Sequence, residues 1–210
     1  MSIVQSHQMK LLIFSDIHND MRALQKLMDI EADRYIAAGD LVNLQRGLDA
    51  AGEVMKHKAD KVFVMPGNHE SVRDIARFCG KFKFKNLHEQ SFEADGFHIA
   101  GLGYSNPTPF NTPGEYTEAE LAEKLQPFAA LKPLVLICHC PPRNTPLDRT
   151  KENVHFGSES VRKFIDAHQP VRFFCGHIHE AEGVTATLGE TIGTNVGKRG
   201  FLLDLATLKR

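Results

Sequence analysis

The sequence predicts an α/β fold in which parallel strands are covered by helices, and two observations carry that prediction. Apolar runs of strand length alternate with segments whose apolar residues recur at helical spacing. Each early run also ends in a cluster of Asp, Asn or His before the helix begins, and ligands of parallel sheets gather outside the carboxyl ends of the strands.

Residues 9–15 run into Asp16-Ile17-His18-Asn19-Asp20, after which Met21, Leu24, Leu27 and Met28 share a helical face. The pattern repeats with an apolar run at 35–38, then Gly39-Asp40, then a helix within 45–58. It repeats again with 62–65, Pro66-Gly67-Asn68-His69-Glu70, and a helix capped by Ser71 with Asp74 in its first turn. From Gly80, Lys81, Lys83 and Lys85 alternate with Phe82 and Phe84. Basic residues with stacking aromatics would suit nucleic acid, but period-2 alternation favours an edge strand with phenylalanines inward. Residues 92–102 read as a hairpin turning at Ala94-Asp95-Gly96.

Residues 103–115 carry Pro107, Pro109 and Pro113 and form a stiff loop, within which 104–113 is expected to border the pocket. Thr117 and Glu120 make a capping box for a helix to about Leu125. A buried strand at 134–138 leads into His139-Cys140-Pro141-Pro142-Arg143 and a loop to about Phe156. Gly157-Ser158 starts a helix with Val161, Phe164 and Ile165 on one face, and 171–175 is a strand ending in Gly176-His177-Ile178-His179-Glu180. Glycine there is expected to let the chain turn sharply enough to present both rings. Short strands follow at 183–188, 191–196 and 201–205.

With 210 residues, one domain over 1–210 is expected. A formal charge of −1 lacks the basic balance of a general nucleic-acid binder, so a long polyanion is disfavoured as partner. The longest apolar runs fall well short of the ~20 residues that span a bilayer. Only Lys10 precedes the first short apolar run and no small-residue cleavage site follows, so a cytoplasmic protein is expected. Cys138 and Cys140 flank His139; strand alternation points them away from it, as buried thiols rather than ligands. Cys79 and Cys175 complete a set suited to a reducing compartment.

Five strand ends thus carry Asp16 and His18; Asp40; Asn68 and His69; His139; and His177 and His179. The inventory suffices for two metals, which repel one another and call for a shared anionic ligand such as an aspartate with its two oxygens. Any one of these residues alone is more often a cap or surface group than a ligand; jointly they are not.

These motifs, in this order, resemble the calcineurin-like metallophosphoesterase family, and most closely its small bacterial and archaeal phosphodiesterases. The resemblance extends to the Asn106-Pro107-Thr108-Pro109 and Cys140-Pro141-Pro142 loops. It implies a four-layer α/β/β/α sandwich of two packed mixed sheets flanked by helices, with the second sheet built in part from the C-terminal strands. It assigns Asp16, His18, Asp40 and His179 to one metal and Asp40, Asn68, His139 and His177 to the other, with Asp40 bridging. It further implies a metal-bridging hydroxide that attacks phosphorus, with His69 protonating or stabilising the leaving oxygen. Manganese follows from the resemblance, while the donor set also suits Fe, Zn, Co or Ni.

Some relatives carry an aspartate three residues after the bridging one, supporting the histidine acid. This chain has Asn43, which offers that histidine no full charge and points away from protein-phosphatase chemistry. Arg143 and His155, the latter beside a helix start suited to anions, are expected with Asn43 at the substrate. His7, His57, His88, His98 and His168 are expected to be structural or solvated. The expected activity is hydrolysis of small phosphate esters, most of all diesters. A scaffold without turnover and a metal-dependent nuclease are the rival readings, and a homo-oligomer is compatible with either.

Overall fold

Alternation along each strand sends successive side chains to opposite faces, and in this chain both faces are apolar, so the strands must be covered on both sides. The computed structural model describes residues 8–208. Its first half contains β1 (Lys10–Phe14), α1 (Met21–Met28), β2 (Arg34–Ala38), α2 (Leu48–Met55), β3 (Val62–Met65), α3 (Val72–Phe82) and β4 (Lys85–Asn86). A hairpin of β5 (Gln90–Ala94) and β6 (Phe97–Leu102) follows, then α4 (Glu118–Leu125), β7 (Leu134–Cys138), α5 (Glu159–His168) and β8 (Arg172–Cys175). Strands β9 (Thr185–Leu188), β10 (Thr191–Asn195) and β11 (Phe201–Asp204) close the chain.

One sheet runs β11-β1-β2-β3-β4, parallel except for β11; the other runs β5-β6-β7-β8-β10-β9, parallel except for the edge strands β5 and β9. Leu12, Phe14, Tyr35, Ala37 and Val64 pack with Leu24, Ile75 and Phe78 of the first helices. Their strand neighbours Leu11, Ile13, Ile36 and Met65 face the other way, against Ile99, Val135, Ile137 and Phe174 of the second sheet. Leu134, Leu136 and Phe173 face outward onto Leu121, Leu125, Val161 and Ile165 of α4 and α5. Three apolar cores therefore separate four layers, the sandwich implied by the family resemblance.

The caps follow the sequence. Ser71 accepts from the Asp74 N–H at the start of α3, and Thr117 and Glu120 form the reciprocal box of α4. Two elements differ. The predicted edge strand from Gly80 is instead the last turn of α3, whose chain reverses at Lys83 (φ 62°), leaving only Lys85–Asn86 as the sheet edge. The phenylalanines do point inward, but Phe82 does so at helical spacing from Phe78, their rings 5.3 Å apart, with Phe84 stacked on Phe82. The last strand also leaves the second sheet: β11 pairs antiparallel with β1, where Leu203 reaches the core between the sheets.

Candidate metal centre

Loops after β1, β2, β3, β7 and β8 converge at one edge of the sandwich, tied by backbone hydrogen bonds from Asp16 N–H to Gly39 O (3.1 Å) and from Gly176 N–H to His139 O (3.1 Å). Their turns are tight: Asp16, His18, Asp40 and His177 all have positive φ. Non-glycine residues in that region each cost on the order of 1–3 kcal/mol and cluster at functional sites. The sharp turn expected at Gly176 is thus made by His177 (φ 69°). Gly176 serves close approach, since a Cβ there would lie 2.2 Å from Asp16 Oδ2.

The seven residues assigned to metal come together. One ligand atom each of Asp16, His18 and His179 lie within 4.8 Å of one another, as do those of Asp40, His139 and His177. Asn68 Oδ1 stands 3.1 Å from His139 Nε2 and 2.9 Å from His177 Nδ1. The two Asp40 oxygens have different neighbours. Oδ1 accepts the His69 N–H at 2.9 Å, while Oδ2 lies 3.7 Å from His18 Nε2 and 3.3 Å from His139 Nε2.

The donor set fits cations. His139 Nδ1 donates to Ala38 O at 3.0 Å, and His18 Nδ1 to Asn43 Oδ1 at 2.7 Å, which turns each Nε2 toward oxygens or, for His18, also toward His179 Nε2 at 2.9 Å. Acceptors converging in this way are completed by a positive charge, and a hydrogen bond at the far nitrogen is how ligating histidines are oriented. Charges in the cluster show the same pull. Burial opposes charge on His139, yet the Asp40 carboxylate lifts it to about 9. Burial raises Asp40 and Asp16 less than their histidine neighbours lower them. Burial and the His139 charge push His177 down to about 4, whereas the bond to Asp16 raises His179.

His69 lies at the same mouth, its ring edge-on to His18 at 5.0 Å, and also falls within ligand reach of His18 and Asp40. The Leu44 N–H donates to its Nδ1 at 3.2 Å, so Nδ1 is the bare nitrogen and Nε2 of the neutral ring carries the hydrogen. In that tautomer Nε2 can donate a hydrogen bond. Asn43, expected beside His69, is engaged with His18 instead, through the bond to Nδ1 and a weaker one from its amide to His18 O (3.4 Å).

Arg143 and His155 do not reach the cleft. The Arg143 N–H pairs with Ser158 O at 3.0 Å, and Arg143 is not among the residues lining the site. His155 Nδ1 pairs with the fully buried Asp148 at 2.6 Å. The start of α5, expected to suit an anion, already holds one of the protein's own: Glu118 accepts from Ser158 Oγ and the Ser160 N–H, both at 2.8 Å. The Pro-rich loop does border the cleft, through Pro107, Thr108, Pro109 and Phe110.

Several positioning residues carry no signal beyond their polarity. Glu70, fully buried, accepts from the N–H groups of Asp40 (3.0 Å), Val42 (3.0 Å) and Gly67 (2.8 Å), and burial with the nearby Asp40 charge pushes it up to about 8. Asn195 donates to Gly176 O and Ile178 O, bracing the two-histidine loop. Thr112 accepts from Asn68 Nδ2 (3.2 Å) and donates to Glu115 (2.6 Å), which turns Asn68 Oδ1 toward the cluster. The four cysteines are buried free thiols; burial pushes Cys140 up to about 12, and its Sγ–H donates to Asn106 Oδ1, so it supplies no thiolate.

The sequence model for calcineurin-like phosphoesterases matches residues 9–181. The chain belongs to that family. A curated relative, the uncharacterized protein MJ1162 of Methanocaldococcus jannaschii, is 32% identical over 203 residues, covering 93% of this chain and 91% of that one. The structure of TT1561 of Thermus thermophilus is similar at a TM-score of 0.73 and 19% identity, covering 97% and 98% of the two chains. Phosphopantetheinyl hydrolase (PptH) of Mycobacterium tuberculosis gives 0.64 and 15%, covering 90% and 89%. At these identities the solved structures speak for the shared fold. No helix among the described residues is long and apolar enough to cross a membrane.

Of the other histidines, His7 lies outside the described residues, and His57, His98 and His168 take no part in the cluster. His88 is structural: buried beside β6, its Nδ1 accepts the Gly103 N–H at 3.0 Å and its Nε2 meets Tyr116 Oη at 3.3 Å. Burial pushes it down to about 4, against the opposing pull of Glu89. The native protein holds this ring neutral, while the unfolded chain protonates near pH 6.5. Its contribution is therefore complete above that pH and lost as pH falls toward 4, by at most about 3 kcal/mol. Urea midpoints of His88→Gln are expected to fall less than wild type over that window; parallel pH profiles would contradict this.

Proposed function

We propose that the chain is a metal-dependent phosphodiesterase that hydrolyses small organic phosphate esters at a dinuclear centre. The observation that carries this reading is the placement of Asp40 Oδ2 between two sets of ligands, each with its own histidines. Two divalent cations held there supply Lewis acidity toward phosphoryl oxygens and a water acidic enough to attack at neutral pH. Asp16, His18 and His179 hold one, Asn68, His139 and His177 the other, and Asp40 belongs to both. Manganese is the proposed metal, with Fe, Zn, Co and Ni suited to the same donors.

The rest of the chemistry is assigned to the protein's own groups. His69 Nε2–H donates to the ester oxygen as negative charge gathers on it. With Nδ1 occupied by the Leu44 N–H, the ring stabilises that oxygen by hydrogen bonding through Nε2. A donor of that kind serves leaving groups that depart with little help, which favours acidic alcohols and phenols. Asn43 orients His18, and Glu70 fixes the loops of Asp40 and Asn68 relative to one another. The same proposal takes the domain to span 1–210 in a cytoplasmic protein.

Initial rates on bis(p-nitrophenyl) phosphate are expected to vanish on metal stripping, to return with Mn²⁺, and to exceed those on p-nitrophenyl phosphate. Absence of turnover with any divalent ion would instead favour the scaffold reading.

A further inference from the structure

The cleft in front of the metal ligands has a volume of about 340 Å³, and its walls divide sharply by chemistry. Beyond the polar cluster, Thr108, Thr150 and Glu180 apart, they are apolar: Pro107, Pro109 and Phe110 from the Pro-rich loop, Phe156 from the segment before α5, and Ile178 between the two histidines. Phe110 is 81% exposed and Phe156 46%. Single exposed apolar residues are ordinary, but two phenylalanines lining one cleft with two prolines form a surface that gains by being covered. The wall is held in place. Thr108 Oγ1 donates to Glu115 at 2.6 Å and accepts the Phe110 N–H at 3.2 Å, while the Phe156 N–H bonds to Asp148 O at 3.4 Å. With the backbone of both residues held, binding has the rings rather than the loops to order, so contact with this wall should appear as affinity.

Charge narrows the occupant. Among the described residues lining the cleft none is Lys or Arg, and Glu180 adds a carboxylate to it; Arg149 and Lys151 line the neighbouring hollow on the far side of Thr150 and Glu180. A second phosphate or a carboxylate on the substrate would find no cation in the cleft and would meet Glu180. We propose that this cleft selects phosphodiesters bearing an uncharged aromatic or apolar ester group, which packs on Phe110 and Phe156, and rejects esters with a further anionic group. The inference rests on the phosphodiesterase reading and adds the class of substrate to it.

Three diesters compared as competitive inhibitors of Mn²⁺-dependent bis(p-nitrophenyl) phosphate hydrolysis test it: dimethyl, diphenyl and bis(4-carboxyphenyl) phosphate. Diphenyl phosphate is expected to inhibit about tenfold or more better than dimethyl phosphate, as burial of a phenyl group implies, and the carboxylated diester worse than diphenyl. Phe110→Ala, at an exposed position that leaves the cores intact, and Phe156→Ala should each shrink the diphenyl preference. Equal inhibition by all three, or strongest inhibition by the carboxylated diester, would overturn the proposal while leaving the phosphodiesterase reading in place. Failure to hydrolyse bis(p-nitrophenyl) phosphate at all would remove that reading, and this proposal with it.

Discussion

Asp40→Asn is expected to lower metal-dependent diester hydrolysis by about a thousandfold or more while leaving the fold intact. The substitution keeps the shape and an oxygen to accept the His69 N–H, now 2.9 Å from Oδ1. It replaces Oδ2, the atom facing both His18 and His139, with an amide that donates hydrogen bonds and carries no charge. In the proposed dinuclear centre, two divalent ions would then lose the anion that offsets their repulsion. Steady-state rates at saturating Mn²⁺, beside circular dichroism of both proteins, check this. A variant retaining more than about a tenth of wild-type turnover would mean that Asp40 is no bridge.

Glu70→Ala is expected to be the most destabilising single change near the site, by about 3 kcal/mol or more. Three N–H groups now end on its buried carboxylate, from Asp40, Val42 and Gly67, and none would keep a partner in the alanine variant. Glu70→Gln retains an acceptor oxygen and should lose roughly half as much. The loops involved also aim Asp40 and Asn68, so metal affinity should fall together with stability. Denaturant unfolding of the metal-stripped proteins separates the two effects. Equal stability of wild type and Glu70→Ala would show that water satisfies those N–H groups.

Most strands, the helix starts and the gathering of the seven candidate metal ligands were legible because each rests on a short-range regularity. Period-2 or helical spacing marks the element, a Ser or Thr marks its start, and parallel strands bring their carboxyl ends to one edge. What could not be read depends on partners distant in the chain. Glu70 is explained, beyond the Gly67 N–H of its own loop, by the N–H groups of Asp40 and Val42 in the neighbouring one, 30 and 28 residues away. His155 and the start of α5 looked free in the sequence because Asp148 and Glu118 had not yet been folded against them. The family resemblance pairs the position of Asn43 with His69, and only the fold gives it to His18. At Phe82 the signal itself was degenerate: phenylalanines two apart and four apart both suit an inward face, and the helix won because Phe78 supplies the earlier turn.

Titration of metal-stripped protein with Mn²⁺, following bound metal and bis(p-nitrophenyl) phosphate turnover together, tests the central claim most directly. Turnover is predicted to reach its plateau only as bound metal reaches about two ions per chain, with Asp40 shared between them. Full turnover at one ion per chain, or without any, would contradict a dinuclear centre.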